Sequence, residues 1–440
     1  MNKEFIQIGI SDAMASYFKA RNIVKEKTNG KVPFRSLEVA RKFDELYPDK
    51  TGYILDLTQY RKIIPNLPSK LVVITSSEAS AELITTQDFE SLSIDVPSHN
   101  ALRPFHSKFI FFRDTKDEWA KDKRIAGRVF NHERISQVPL LDNASSALTD
   151  LQGLKKKDKL PPYWTKYLVL HQMINYLTEQ NLSNEVLEDA LKAQGYYTKS
   201  SLIAIFLGTR PELANLVLTQ YNEMINRISY NFEQNPRGIL AEIMPFMENA
   251  KSKEVLFTLI AGLNLLRSYI DFSLFTLSFD KRFQEQARTD KDYLKRFTQE
   301  TALHYPIMPY VMRKVTKDFE FQGKTIPSSS LIIFATFAFS NKENQITEFN
   351  PERENLNSMT TGRGGIANPF FYGPRSCLGR HLAPAILQAT LSAILDKYDV
   401  ECNTQGKPIL GEISLRFSKP LEFILTDRET KKQIKATSSF

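Results

Sequence analysis

The stretch Phe370-Phe371-Tyr372-Gly373-Pro374-Arg375-Ser376-Cys377-Leu378-Gly379 decides how the rest of the chain is read. It sets one cysteine between two glycines, with an arginine two residues before it and a phenylalanine seven before. An amphipathic helix is predicted at once after it, with Leu382, Ile386, Leu387, Leu391, Ile394 and Leu395 on one side. A tight loop at a helix N-terminus is where a thiolate is most easily held. Unpaired backbone N–H groups and the positive end of the helix dipole both favour the anion. Gly373 and Gly379 let the backbone approach a large planar ligand without a Cβ in the way. Arg375 offers a fixed positive fork for a carboxylate, and Phe370 would shield the sulfur from water. The plainer alternative is a structural cysteine on a helix cap, since free cysteine packs well as a small hydrophobe.

The complete spacing F-x-x-G-x-R-x-C-x-G resembles the haem-binding loop of the cytochrome P450 family. The resemblance implies an α+β, mainly α-helical fold, with a central haem-spanning helix and a minor β-sheet region. It also implies haem b (iron protoporphyrin IX) as cofactor, with Cys377 as the axial iron ligand and Phe370, Gly373, Arg375 and Gly379 around it. Trp119-Ala120-Lys121-Asp122-Lys123-Arg124 looks like the family's helix whose aromatic start and later basic residues reach a haem propionate. A helix brings Trp119, Lys123 and Arg124 towards one side, as that role needs, although an ordinary basic surface helix would read the same way. Arg313, just before the strand expected at 318–321, resembles the family's propionate-binding arginine.

Two family features are altered. The expected E-x-x-R, followed by an aromatic and proline, reads Glu300-Thr301-Ala302-Leu303-His304-Tyr305-Pro306, with leucine in the arginine position. The reading is that Glu300 pairs directly with Arg353, from Phe349-Asn350-Pro351-Glu352-Arg353, with His304 as a substitute donor. The second change lies on the central helix, where oxygen-activating members carry A-G-x-D/E-T for proton delivery. One alignment gives Ala261-Gly262-Leu263-Asn264-Leu265, which lacks both the acid and the alcohol. The other sets Asn264-Leu265-Leu266-Arg267-Ser268 beside the N-x-x-R-P pattern of peroxide-using fatty-acid hydroxylases and decarboxylases. There Arg267 would hold a substrate carboxylate over the iron, with Asn264 beside it. Against this stands Asp271, one turn on, which would simply neutralise Arg267 within the helix. The preferred expectation is Arg267 facing the cofactor.

Around these motifs, 440 residues with 42% hydrophobic content and 30 phenylalanines bound a chain with a sizeable core, read as one domain spanning 1–440. The only cysteines, Cys377 and Cys402, cannot build a disulfide framework, which points to a reducing, cytoplasmic setting. No basic N-terminal region precedes an apolar run, so no membrane anchor is expected. The apolar run 255–279 is interrupted by Asn264, Arg267 and Asp271 and reads as a buried central helix. The net charge of +8 is spread among 50 acidic residues without a nucleic-acid motif, so no nucleic-acid partner is expected; it equally suits an acidic electron carrier. Arg103-Pro104-Phe105 through Phe109-Ile110-Phe111-Phe112 reads as either pocket lining or core. Helical patterns dominate from about 117 to 299, with β-rich runs at 53–57, 71–75, 319–321, 331–334 and 415–425.

Together these imply an oxidoreductase acting on an apolar small molecule, hydroxylating or decarboxylating it. The expected form is a peroxygenase on a carboxylate-bearing substrate. The alternative is a dioxygen-dependent monooxygenase with a separate ferredoxin- or flavodoxin-type partner. A haem-binding relative without oxidative turnover is the third class.

Overall fold

The computed structural model describes residues 4–28, 36–47, 50–62, 68–96, 115–153, 160–161, 163–180, 186, 188–193, 195, 211–234, 236–246, 252–339, 348–354, 356, 369–404, 406–410 and 414–429. The run 103–112, read above as pocket lining or core, lies outside them. Of positions 4, 27–28, 125, 152–153, 211–218, 231–232, 243, 246 and 252–261 only the backbone is described.

The N-terminal part interleaves β1 (Glu4–Gln7), α1 (Ile10–Thr28), α2 (Leu37–Glu45), β2 (Lys50–Asp56), β3 (Lys70–Ile74), α3 (Ser77–Gln87) and β4 (Leu92–Ser93). Helices then follow as α4 (Lys116–Val129), α5 (His132–Gln137), α6 (Leu140–Gly153), α7 (Trp164–Thr178), α8 (Pro211–Glu233) and α9 (Gly238–Ile243). The long α10 (Ser252–Phe279), α11 (Lys281–Thr289) and α12 (Lys291–His304) complete the helical part. Strands β5 (Val311–Val315), β6 (Phe319–Phe321), β7 (Lys324–Ile326) and β8 (Leu331–Phe334) come next. The chain closes with α13 (Leu382–Lys397), β9 (Tyr398–Cys402), β10 (Pro408–Leu410), β11 (Leu415–Phe417) and β12 (Phe423–Asp427).

The main sheet runs β1-β2-β3-β8-β5-β4, so its centre joins two segments far apart in the chain, β3 and β8. β3 pairs in parallel with β8 from Leu71 opposite Leu331 to Ile74 opposite Phe334, and β5 pairs antiparallel with β8. Alternation turns Val72 and Ile74 into an apolar cluster with Leu83, Ile84, Ile332, Phe334, Phe371 and Tyr372. That cluster is what seats the cysteine loop against α3 and the sheet.

The larger core lies among the helices. Thirteen of the fifteen residues of α7 are buried, as expected of a helix apolar on all sides. Two of its polar groups find partners on neighbouring segments: Gln172 donates to Thr390 Oγ1 at 2.6 Å, and Tyr176 donates to the Val129 carbonyl. α10 is about 42 Å long at 1.5 Å per residue and crosses this core. Among the described residues, no helix is long and apolar enough to cross a membrane. Asp280 and Asp290 start α11 and α12 by accepting the backbone N–H groups of Arg282 and of Asp292 and Tyr293. Pro306, which has no N–H, follows the end of α12. All six apolar residues expected on one side of α13 are buried.

Candidate functional site

The cysteine loop is held by its own backbone. Cys377 N donates to the Phe370 carbonyl at 2.9 Å, and Ser376 N donates to the Gly373 carbonyl at 3.2 Å. Gly373 has φ +69°, and a Cβ there would lie 2.5 Å from Ile84 Cγ2, so the position needs glycine on both counts. Phe371 also takes a left-handed φ of 63°, which drives its ring into the sheet-side cluster, edge-on to Phe334 at 5.3 Å. Cys377 starts the short 3-10 turn Leu378–Arg380, which leads into α13. The residue is open to solvent although protein packs around its sulfur. Crowding by surrounding protein raises the thiol pKa, while the Gly379 N–H and the Arg380 cation act to lower it. No Cβ at Gly379 intrudes beside the sulfur; one would stand 3.8 Å from Sγ.

The predicted propionate residues are gathered by two residues that the sequence did not flag, Asp88 and Phe89. Asp88 ends α3 and Phe89 follows at φ +71°. The buried Asp88 carboxylate lies 3.5 Å from Arg313 Nε and 3.6 Å from Arg375 Nε. Arg375 also lies 4.0 Å over the ring of Phe89, Phe89 packs at 5.2 Å on Trp119, and Lys123 Nζ sits 4.4 Å over Trp119. Lys123 closes the chain by donating to the Pro374 carbonyl at 2.9 Å. Burial, and then Arg380, lowers the Lys123 pKa. Four expected residues, Trp119, Lys123, Arg313 and Arg375, thus come together; Arg124 is exposed on the same helix. Asp88 and Phe89 carried no motif, because their importance arises only when three distant segments meet.

Glu300 is fully buried. Arg353 meets it with Nη2 at 2.9 Å and Nε at 3.1 Å, and Asn350 N donates to it at 3.0 Å. Burial raises the Glu300 pKa, and these donors act to lower it. His304, expected as a substitute donor, is elsewhere: its ring abuts Tyr305 and Phe349. Burial, then Arg41 and Arg353, drives its pKa down to about 3, so the imidazole is neutral and cannot replace an arginine's charge. The second cation near this helix end is Arg41 of α2, whose Nη2 donates to the His304 carbonyl at 2.5 Å. Leu303, in the arginine position, is buried in the sheet-side cluster instead.

On α10, Arg267 is engaged within its own helix. Its Nε lies 2.9 Å from Asp271 Oδ2, and its side chain is 36% exposed. Asp271 is buried, and its pKa is raised by burial against the influence of Arg267, Thr165 and Lys166. Those last two residues open α7, so the Arg267–Asp271 pair is shared with the start of that helix. The pairing with Asp271 that stood against the expected carboxylate role of Arg267 is thus the one present, one turn along the helix. Asn264 is half-buried.

This arrangement fits an iron porphyrin. Two buried arginines, Arg313 and Arg375, bring positive charge to the Asp88 carboxylate. Arg313 Nε and both Asp88 oxygens have no hydrogen-bond partner among the described residues. A second anion, such as a propionate, would answer that charge, and Cys377 would supply the sulfur ligand. Residues 276–425 match the family model "Cytochrome P450". That match covers about a third of the chain, its C-terminal part with the cysteine loop. It is 29% identical over 143 residues to cytochrome P450 4d1 of Drosophila melanogaster, covering 31% of this chain and 28% of that protein. It is 30% identical over 169 residues to the human mitochondrial sterol 26-hydroxylase, covering 32% of each. The matches thus span about a third of either curated relative or less. A solved cytochrome P450 of Thermus thermophilus superposes with TM-score 0.69 at 17% identity, over 89% of this chain and 98% of that one. CYP175A1, also from Thermus thermophilus, gives 0.71 at 16%, over 96% and 100%. At these identities the structures establish the shared fold.

Proposed function

We propose that the protein is a haem-thiolate oxidoreductase that inserts oxygen into a mostly apolar small molecule, taking electrons from a separate carrier protein. The observation that carries the choice of oxidant is the Arg267–Asp271 pair. A peroxygenase of the expected kind needs that arginine for a substrate carboxylate; here an internal carboxylate has it. Sterol 26-hydroxylase, by its name, hydroxylates a sterol, and oxygen insertion into an apolar molecule is the chemistry carried over from it.

Bound at Cys377, haem would supply the oxygen chemistry, because a thiolate ligand pushes electron density onto iron and favours O–O cleavage. The residues of the chain have separate tasks. Gly379 N–H and Arg380 stabilise the Cys377 thiolate. Arg313, Arg375 and the Trp119–Lys123 pair would hold the propionates and fix the orientation of the ring. Glu300 and Arg353 brace the segment leading to the cysteine loop. Lys121, Arg124, Arg128 and Arg380 are exposed on α4 and beside the loop, a basic face suited to an acidic electron carrier.

The test is the spectrum of purified protein, reduced and treated with carbon monoxide, followed by turnover assays. Wild type is expected to give the sulfur-ligated band and Cys377→Ala to lose it. Turnover is expected with a reductase and reduced nicotinamide. Product formation from peroxide alone, at an equal rate, would overturn the assignment of oxidant; a band that persists in Cys377→Ala would overturn the haem ligation itself.

A further inference from the structure

The Asp88 carboxylate is 1% exposed and sits between two guanidinium groups that belong to different elements, Arg313 on β5 and Arg375 on the cysteine loop. Its backbone is fixed: Asp88 N donates to the Ile84 carbonyl, and the residue bridges to Leu92 at the start of β4. Both arginines are equally held. Arg313 Nη1 donates to the carbonyl of Met312, and Arg375 lies on the face of Phe89. The separations of 3.5 and 3.6 Å exceed a hydrogen bond, and neither Asp88 oxygen makes one to a described residue. The carboxylate therefore acts through charge. It offsets the mutual repulsion of two cations in a medium where that repulsion is poorly screened.

We infer that Asp88 is a positioning residue of the cofactor site: a fixed internal counter-ion that holds Arg313 and Arg375 together beside the place where the haem propionates would sit. The inference rests on the haem reading above, but it has a consequence that does not require the cofactor. Among the described residues Asp88 is the carboxylate that lies between the two arginines, so removing its charge takes away the attraction that offsets their repulsion. With haem bound, the same charge opposes the extra electron of the reduced iron, so removing it favours reduction.

The experiment has two arms. In the cofactor-free protein, thermal melting of Asp88→Asn, Arg313→Gln and the double variant forms a cycle. Asp88→Asn is expected to melt well below wild type, and the double variant, which removes one charge of each sign, to regain part of the loss. A double variant no more stable than the additive expectation would overturn the inference. In the haem-loaded protein, reductive titration of Asp88→Asn is expected to give a more positive midpoint than wild type, while Asp88→Glu stays near the wild-type value. An unchanged midpoint in a variant that keeps the sulfur-ligated carbon monoxide band would overturn it equally. Wild-type protein that takes up no haem would defeat the functional reading and leave the melting cycle to judge Asp88. If Asp88→Asn alone does not fold, recovery of folding in the double variant is the supporting result, and no recovery the opposing one.

Discussion

Arg353 grips both carboxylate oxygens of Glu300, at 2.9 and 3.1 Å, in a place where the acid has no exposure to solvent. A two-nitrogen fork on a buried carboxylate is the strong form of an ion pair, and breaking it strands the acid. Arg353 also donates to the Glu348 carbonyl at 2.9 Å, so one side chain ties α12 to two points of the segment 348–353. Arg353→Leu is expected to cost about 3–5 kcal/mol in denaturant unfolding, the range for removing one partner of a buried pair. It should also lower haem occupancy. A variant with wild-type unfolding midpoint would show that the pair contributes nothing.

His304 gives a pH dependence with a definite sign. Burial, with Arg41 and then Arg353 adding to it, holds the folded-state pKa at about 3 against an ordinary 6.5. The unfolded chain binds this proton below pH 6.5 and the folded chain does not. The stabilising contribution is therefore fully present above pH 6.5 and is lost as the pH falls towards 3. At ~1.4 kcal/mol per pH unit, lowering the pH from 6.5 to 5 removes about 2 kcal/mol. Unfolding curves of His304→Leu between pH 7 and 5 should be flatter than wild type by that amount; parallel curves would contradict the assignment.

These two neighbours also show what the sequence makes legible. The register of Glu300, Tyr305 and Pro306, and the distant Arg353, could be read because each is a fixed offset in a known pattern. The Cys377 loop and the Trp119/Lys123 spacing were legible for the same reason, as were α10, α13 and the strands at 71–74 and 331–334, whose periodicity is strong. Asp88, Phe89 and Arg41 were not, since each acts through contacts with segments far away in the chain and carries no local signature. For Arg267 two signals compete: a motif offset that points to a ligand, and Asp271 one helical turn away, with which it pairs.

Leu303 predicts that restoring the family's usual residue will do harm. The leucine is buried among Phe334, Phe339 and Phe371, and the nearby cation is Arg41, which reaches the same helix end from α2. Leu303→Arg would bring a third guanidinium beside Arg41 and Arg353 and take it through an apolar cluster. A loss of several kcal/mol is expected. Arg41→Met should cost about 1.5–3 kcal/mol by removing a charged donor from the His304 carbonyl. Leu303→Arg is not expected to rescue Arg41→Met, and thermal melting of the three variants decides the matter.

Gly373 carries the sharpest steric prediction. Its φ of +69° disfavours any side chain, and Ile84 Cγ2 stands 2.5 Å from the Cβ that alanine would add. Gly373→Ala must shift the loop or the end of α3, at a cost of about 1–3 kcal/mol for the backbone conformation alone. Because Gly373 O accepts the Ser376 N–H, the shift passes directly to Cys377. The expected readout is a diminished sulfur-ligated carbon monoxide band. Ile84→Ala in the same chain should recover part of it by relieving the clash but not the backbone strain.

The pairing of Arg267 with Asp271 makes a prediction that separates an internal ion pair from a substrate clamp. Asp271 is buried and lies beside Thr165 and Lys166, whereas Arg267 is about one-third exposed. If the pair is internal, Arg267→Leu strands a buried carboxylate. It should then destabilise the fold by more than the ~0.3–0.5 kcal/mol typical of an exposed i,i+4 pair. The double variant Arg267→Leu/Asp271→Leu removes both charges and should regain stability. Fatty-acid binding, followed by the spectral shift on titration, should be the same in wild type and the double variant, because the arginine is not offered to the ligand. A clamp would behave in the opposite way. Asp271→Asn alone would release the guanidinium and tighten carboxylate binding, and the double variant would lose it. Measuring stability and acid affinity on the same three proteins distinguishes the two, because the internal pair changes only the first and the clamp must change the second.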